Sequence, residues 1–245
     1  MKPYYEIVSQ IKDSIPGQTN EVKLFPLFFA AKFAPPGPFV EIGALAGRSA
    51  VCLATAGDRV VFSVDLFPNK GDWFQETQLS TPIPGKLYWR FKVGETQSPL
   101  DFAIPDGAKN EIFSMLYSDG DSALEAFKKN ISKFRLLDIR PFKGTSAEFC
   151  YRYPTLMGTC GLVYVDGDHS KLGCLIDLVA AIRLLRPGGI LIADDMDEKL
   201  YPGTSDALRI AAPGNFSDWE YISDKMIIAR RYDPRANSED FSQSC

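Results

Sequence analysis

The amino-acid sequence predicts a doubly wound α/β fold, in which helices cover both faces of a mostly parallel sheet. Five short runs of β-branched and apolar residues alternate with segments whose apolar residues recur every three or four positions. Strands that are apolar throughout are typical of parallel sheets buried on both faces. Two further strand-like runs nearly abut within residues 219–232, which predicts an antiparallel hairpin that closes the sheet.

Helices and strands are expected to alternate along the chain. The first two helices cover 4–15 and 20–34, and the prolines of residues 35–38 end the second one. The five strands are expected at 39–43, 59–67, 136–142, 161–166 and 188–195. The helices that connect them are expected at 49–56, at 122–131 and within 169–189, where a Pro-Gly-Gly sequence stops the last one.

The span between the second and third strands is longer than one crossover helix requires. Its excess, residues 69–118, is an insertion with several aromatic side chains, among them Trp73, Phe74, Tyr88, Trp89 and Phe91. These aromatics either seal the insertion onto the domain or form a substrate lid, and the two interpretations are compatible. We expect one domain over residues 1–245, with N-terminal helices at 1–34 and a lid at 69–118.

Composition and charge exclude several classes of function. The net charge of −4 and the lack of a basic stripe argue against a nucleic-acid partner. The N-terminus has no signal-peptide pattern, and the most apolar early segment is too short to span a bilayer. The five cysteines form no CxxC pair, so neither a disulfide framework nor a zinc site is expected. We expect a cytoplasmic protein without a membrane partner, and leave homo-oligomerisation open.

A glycine-containing turn follows the first strand, at the edge where α/β sheets bind nucleotides. Its spacing fails the dinucleotide fingerprint GxGxxG, because Leu45 and Arg48 stand where glycines are required. Glu41, at the strand tip, is poorly placed beside a pyrophosphate but suits a ligand with an ammonium group, such as S-adenosylmethionine (SAM). The predicted cofactor turn therefore consists of Glu41, Gly43, Gly47 and Ser49, with the ligand carboxylate near Ser49.

Two later residues fit the same ligand. Asp65 ends the second strand, where an acid commonly accepts the ribose hydroxyls of a nucleotide. Ser146 lies in a run of small residues after the third strand and is a candidate neighbour of the adenine edge.

Three acids end the fourth and fifth strands. Asp166 ends one strand, and Asp194 and Asp195 end the next strand along the chain. Neighbouring parallel strands bring their carboxyl ends together, and the resulting repulsion requires a positive charge among the acids. Oxygen ligands favour a hard cation such as Mg²⁺. The sequence therefore predicts a divalent-metal site, with metal-free binding of a sulfonium or of substrate hydroxyls as the alternative. Asp166 is expected to serve both the cofactor and the metal.

Several segments of the chain together resemble a known family. The segments VEIGALAGRSA, VDLF, GTS, VYVDGDHS and LRPGGILIADD occur in the order found in class I SAM-dependent O-methyltransferases, specifically the metal-dependent branch with catechol-type and macrolide or sugar enzymes. The resemblance covers about residues 36–232, apart from the insertion. It implies a seven-stranded Rossmann-like methyltransferase sheet. It also implies SAM contacts from Glu41, Gly43, Ser49 and Asp65, and metal ligands at the strand-end acids.

The resemblance also implies a catalytic base. The one histidine of the chain, His169, lies three residues after Asp166, where the family places a basic residue. An imidazole titrates near neutral pH and fits that role. Asp168 is the second candidate base, with a turn or helix-cap role as its alternative.

The sequence therefore predicts a SAM-dependent, metal-assisted O-methyltransferase that acts on a hydroxylated small molecule, such as a sugar or a glycosylated metabolite. The metal would lower the pKa of the acceptor hydroxyl. Two alternatives stay open at this point: an NAD-linked oxidoreductase on a similar sheet, and a non-catalytic SAM-binding or assembly protein.

Overall fold

The described part of the chain, in a computed structural model, comprises residues 3–76, 88–91, 104–135, 137–197, 201–223 and 225–234. Its α-helices are α1 (Tyr4–Ser14), α2 (Glu21–Phe33), α3 (Arg48–Gly57), α4 (Asp106–Tyr117), α5 (Ala123–Ser132), α6 (Ser146–Arg152), α7 (Lys171–Leu184) and α8 (Pro202–Ala211). Its strands are β1 (Phe39–Ile42), β2 (Val61–Asp65), β3 (Trp73–Glu76), β4 (Tyr88–Phe91), β5 (Ile104–Pro105), β6 (Ile139–Lys143), β7 (Cys160–Val165), β8 (Leu185–Ala193), β9 (Phe216–Tyr221) and β10 (Ile227–Arg231).

The main sheet has seven strands among these residues, in the order β6-β2-β1-β7-β8-β10-β9. The first five strands are parallel, and β10 pairs antiparallel with both β8 and β9. The predicted doubly wound sheet with a C-terminal antiparallel hairpin is thus confirmed. Strands β1 and β7 are buried along their whole length, as their continuous apolar sequence predicts.

Helices pack on both faces of this sheet. On one face, α1, α2 and α3 enclose a core that includes Leu24, Leu53 and Tyr164. On the other face, α6, α7 and α8 pack over Phe149 and Leu178. Side chains cap three helix starts that border the site, because Asn20, Thr145 and Ser170 each accept a hydrogen bond from a backbone N–H of the first turn.

The structure contains helices and strands in addition to the predicted ones. Helices α4, α6 and α8 and the small sheet β3-β4-β5 were not predicted, because their short apolar patterns do not distinguish them from loops. Strand β8 begins at Leu185, before the Pro-Gly-Gly sequence rather than after it. The reason is long-range pairing, since Leu185 lies opposite Cys160 of β7 and the register shifts there.

The described part of the insertion packs onto the main domain. The indole Nε1 of Trp73 donates to the Tyr117 hydroxyl at 2.7 Å, and that hydroxyl donates to the Pro68 carbonyl at 3.0 Å. Trp73 therefore has the sealing role that we considered. The side chains of Phe74, Tyr88, Trp89 and Phe91 lie outside the described part, as do residues 235–245. Among the described residues, no helix combines the length and apolarity needed to cross a membrane.

Candidate active site

The parallel register aligns the carboxyl ends of the central strands. Ile42 lies opposite Val165, and Val165 lies opposite Ala193, so the loops that follow β1, β7 and β8 leave the sheet side by side. The ladder continues into these loops, because Asp166 N donates to the Ile42 carbonyl at 2.8 Å and Asp194 N donates to the Val165 carbonyl at 2.9 Å. The sheet itself therefore gathers the predicted site residues at one edge.

The turn after β1 needs glycine for a backbone reason. Gly43 has φ +90°, and a Cβ there would lie 2.0 Å from the backbone carbonyl oxygen of Asp166. Gly47 has φ +95° and is the N-cap of α3. Both glycines thus allow a left-handed, closely packed turn, which brings the chain next to the carboxyl end of β7.

A cavity opens at this edge of the sheet. Of the predicted site residues, those that line it are Gly43, Ser49, Asp65, Ser146, Asp166, Asp168, His169 and Asp195. Three others, Glu41, Gly47 and Asp194, are not part of its lining. Trp73, Ile112 and Leu116 from the insertion also line the cavity. The placement of a lid over an acceptor stays a prediction, because much of residues 69–118 is outside the described part.

Glu41 is fully buried behind the cavity wall. Its Oε2 accepts a hydrogen bond from the Ser63 hydroxyl at 2.8 Å, while its Oε1 has no hydrogen-bond partner among the described residues. Burial raises the pKa of Glu41 to about 7, although the Ser49 and Ser63 hydroxyls oppose that rise. A carboxylate that is buried this deeply without a cation favours a positively charged partner.

Asp65 ties the cofactor turn to β2. Its Oδ2 accepts hydrogen bonds from the backbone N–H groups of Ala44 at 2.8 Å and Leu45 at 3.0 Å. Its Oδ1 accepts one from Phe67 N at 2.7 Å. Burial raises the pKa of Asp65, and these N–H donors oppose that shift. Asp65 therefore stabilises the turn through hydrogen bonds within the protein itself.

Ser146 begins α6 and is buried. Its hydroxyl donates to Asp177 Oδ1 at 2.6 Å, and Asp177 is a cavity-lining acid on α7 that the sequence analysis did not identify. Burial raises the pKa of Asp177 to about 6, against the effect of the Ser146 hydrogen bond. The carboxyl group of Asp177 therefore lies beside Ser146, the predicted adenine contact.

The strand-end acids form a cluster that also contains a tyrosine and a lysine. The Tyr164 hydroxyl lies 2.9 Å from Asp166 Oδ2 and 3.2 Å from Asp194 Oδ2. Lys23, on α2, places its Nζ 2.7 Å from Asp194 Oδ2 and 3.5 Å from Asp195 Oδ1. Burial, together with the charges of Asp194 and Asp195, raises the pKa of Asp166 well above its ordinary range. The positive charge that the acids require is thus supplied, at least in part, by the protein.

The potential metal ligands differ from the predicted set in one member. Among the described residues, Asp166, His169 and Asp195 bring one ligand atom each within 4.8 Å of one another. Asp194 is not in this group, because its oxygens are directed toward Lys23, Tyr164 and the backbone N–H of Asp195. Asp195 also has a positive φ of 54°, a left-handed conformation that is uncommon for a residue other than glycine.

His169 and Asp168 follow β7 directly. His169 Nε2 lies 3.2 Å from Asp195 Oδ2, and its ring centroid is 4.9 Å from that of Tyr201. The carboxylate and the aromatic ring orient the imidazole at the cavity wall. Asp168 accepts a hydrogen bond from Ser170 N at 2.6 Å, so it has the turn role that we considered as its alternative.

Arg48 is a further residue that the sequence analysis did not assign to the site. Its guanidinium donates to the backbone carbonyls of Lys12, Ile15, Gly17 and Thr19. It thereby holds residues 15–19, here called the N-terminal strap, against the cofactor turn. Residues 16–19 of the strap line the cavity. An arginine next to Gly47 gives no sequence signal of this role, because its partners are carbonyls distant in sequence.

A doubly wound sheet with an acid-lined cavity at its carboxyl edge defines a class of enzymes that bind a nucleotide-like cofactor there. The family comparison is more specific. A family model described as "Methyltransferase domain" matches residues 40–196, and the chain belongs to this family. The protein is therefore a methyltransferase, which excludes the oxidoreductase alternative. The chain matches no curated protein sequence.

Solved structures of O-methyltransferases share the fold. NovP, an O-methyltransferase, aligns with a TM-score of 0.59 and 16% identity over 94% of this chain and 98% of NovP. An O-methyltransferase from Bacillus cereus, solved in complex with SAH, gives 0.56 and 15% over 94% and 92%. CalS11, a calicheamicin methyltransferase, gives 0.52 and 15% over 95% of each chain. These likenesses confirm the predicted Rossmann-like methyltransferase fold.

Proposed function

We propose that the protein is a SAM-dependent O-methyltransferase that transfers a methyl group to a hydroxyl of a small molecule. One observation carries this proposal: a single cavity is lined both by Gly43 and Asp65 and by the group of Asp166, His169 and Asp195. A cofactor bound at the turn would thus have its reactive end beside a group that can bind and deprotonate a hydroxyl. That NovP and CalS11 share this fold supports the assignment.

SAM is assigned to the end of the cavity near β1 and β2. Asp65 already accepts three backbone N–H bonds, and a carboxylate has about four lone-pair sites, so about one site remains for a ribose hydroxyl. The buried charge of Glu41 lies behind the methionyl end and favours the cofactor ammonium. Ser49, at the start of α3, would face the cofactor carboxylate. Ser146 would lie at the adenine edge.

The residues at the other end of the cavity fit a divalent cation. Asp166, His169 and Asp195 offer two carboxylates and an imidazole within 4.8 Å of one another. Asp166 and Asp195 would be its ligands, since carboxylates suit Mg²⁺ or Mn²⁺, and the imidazole of His169 would stay uncoordinated so that it can accept a proton. The cation would lower the pKa of a bound hydroxyl. Asp194 would remain beside the site as the partner of Lys23.

His169 is assigned as the base. The imidazole would accept the hydroxyl proton of the acceptor, and SAM, when bound, would supply the methyl group that the hydroxyl oxygen receives. Asp195, 3.2 Å from Nε2, stabilises the imidazolium that forms. Asp168 is a second candidate base. The several carboxylates of the cavity would accept hydrogen bonds from a polyhydroxylated acceptor, which favours a sugar or a glycosylated metabolite.

Two measurements test this function. Calorimetry should show SAM binding and no NAD binding, and Asp65→Ala should weaken SAM binding about tenfold or more, because the turn and the ribose both lose an acceptor. With labelled SAM and a panel of hydroxylated metabolites, His169→Ala should lower kcat more than it raises KM. Full SAM affinity in Asp65→Ala, or unchanged turnover in His169→Ala, would contradict the respective assignment.

A further inference from the structure

Lys23 belongs to helix α2, whereas the acids and the tyrosine of the cluster lie in or directly after strands β7 and β8. It lies in the first turn of α2, and its ammonium reaches Asp194 and Asp195 at 2.7 and 3.5 Å. Its side chain retains 22% of its possible exposure, whereas that of Asp194 retains 1%. The ion pair is therefore largely buried, unlike the surface pairs of this chain.

The backbone around Lys23 is fixed by independent contacts. Its N–H donates to the side chain of the N-cap Asn20 at 3.2 Å. The strap that precedes α2 is held by Arg48, whose guanidinium donates to the Gly17 and Thr19 carbonyls. The start of α2, from which the Lys23 side chain reaches the cluster, is therefore held in place.

The charges of the cluster require such a cation. The Tyr164 hydroxyl lies between Asp166 and Asp194, and Asp195 follows directly in the chain, so three carboxyl groups are crowded at this edge. Lys23 places its ammonium 3.5 Å from Asp195, an acid that a divalent cation would also use, and 2.7 Å from the neighbouring Asp194.

We propose that Lys23 is a built-in competitor of the divalent cation: its ammonium offsets part of the negative charge of the cluster in the metal-free protein and must withdraw from Asp195 when a cation binds. This inference rests on the proposed function, because it concerns the same ion site. Its consequence is that the chain binds divalent cations more weakly than the carboxylate ligands alone would.

The test measures cation binding directly and not through turnover. Mn²⁺ binding is followed by electron paramagnetic resonance and calorimetry in the wild type and in Lys23→Met, which keeps most of the side-chain volume but loses the charge. We expect Lys23→Met to bind Mn²⁺ about tenfold or more tightly, because one positive charge next to the ligands is removed. Lys23→Arg should stay close to the wild type, since it retains the charge.

Lys12 provides a matched control. It also lies in the N-terminal helices and pairs with an acid, Glu21, at 2.9 Å, but this pair is outside the cluster. Lys12→Met should leave Mn²⁺ affinity unchanged. If Lys23→Met binds Mn²⁺ no more tightly than the wild type, or if Lys12→Met shows the same gain, the proposal is refuted.

A measurement on the unmodified chain covers the case in which Lys23→Met does not fold. Acetylation of lysines by an N-hydroxysuccinimide ester, read by mass spectrometry, should be slow at Lys23 and accelerate at saturating Mn²⁺, while the rate at Lys12 stays constant. A Lys23 rate that saturating Mn²⁺ leaves unchanged overturns the displacement. Calorimetry with SAM on the same samples separates the two proposals, because loss of SAM binding counts against the function and not against Lys23.

Discussion

Replacing Glu41 with glutamine should change the pH dependence of stability in a defined direction. Glu41 is fully buried on β1, and its burial raises the pKa from an ordinary 4.5 to about 7. The folded protein therefore holds this proton more tightly than the unfolded chain does. Stability is lost as the pH rises from about 4.5 to about 7, because the folded state must either ionise a buried carboxyl or keep its proton against the solution pH.

The magnitude follows from the two pKa values. One pKa unit corresponds to about 1.4 kcal/mol. The difference between 4.5 and about 7 therefore lowers the free energy of unfolding by about 3 kcal/mol once the pH is above both pKa values. Glutamine does not ionise and retains a group that can hydrogen-bond to Ser63. The free energy of unfolding of Glu41→Gln, relative to the wild type, should thus increase by about 2 to 3 kcal/mol between about pH 5 and about pH 8.

Urea denaturation of both ligand-free proteins at these two pH values measures the difference. All other titrating groups are common to the two proteins, so their effects cancel. Glu125→Gln is the control for loss of one carboxylate, since Glu125 forms an exposed pair with Lys128 at 2.8 Å and should contribute no more than about 1 kcal/mol. A stability difference between Glu41→Gln and wild type that is the same at both pH values would refute the reasoning.

Two further substitutions test how the cavity is built. Gly43→Ala should destabilise the fold by about 3 kcal/mol or more, because its Cβ would lie 2.0 Å from the Asp166 carbonyl oxygen at a φ of +90°. Thermal unfolding checks this against Gly71→Ala, which meets no atom within 4 Å, and equal losses would contradict it. Arg48→Met should cost about 2 to 3 kcal/mol in urea, because three strap carbonyls and the carbonyl of Lys12 on α1 lose their donor. The exposed Arg140, paired with one acid at 2.8 Å, is its control, and a similarly small effect at both positions would show that the strap is not held by Arg48.

The strand-end residues illustrate what sequence reasoning can find. A parallel strand with a continuous apolar run must be buried, and its last residue must lie at the carboxyl edge of the sheet. Asp65, Asp166 and Asp195 could therefore be assigned to one edge from the sequence, and the structure places all three in one cavity. Their individual roles in binding stay predictions.

Side-chain direction is less accessible to the same reasoning. Asp194 and Asp195 are adjacent in sequence and equally acidic, yet Asp194 contacts Tyr164 and lies 2.7 Å from Lys23, whereas Asp195 faces His169 and lies 3.5 Å from Lys23. Asp195 has a left-handed φ of 54°, an angle that no local pattern specifies. Asp168 and Ser146 likewise have partners, Ser170 N and Asp177, that depend on how a loop meets a helix.

The sequence by itself determined the layered α/β architecture and the edge at which the site lies, because apolar periodicity and strand-end position are local properties of the chain. The tertiary structure alone decided that Lys23 pairs with Asp194 and that Arg48 holds the strap, since each contact joins segments distant in sequence. A lysine or arginine has the same local pattern on a solvated surface as in a buried ion pair. Only the packing of α2 and the strap against the sheet edge removes the water that would otherwise surround these charges, and so gives them their specific partners.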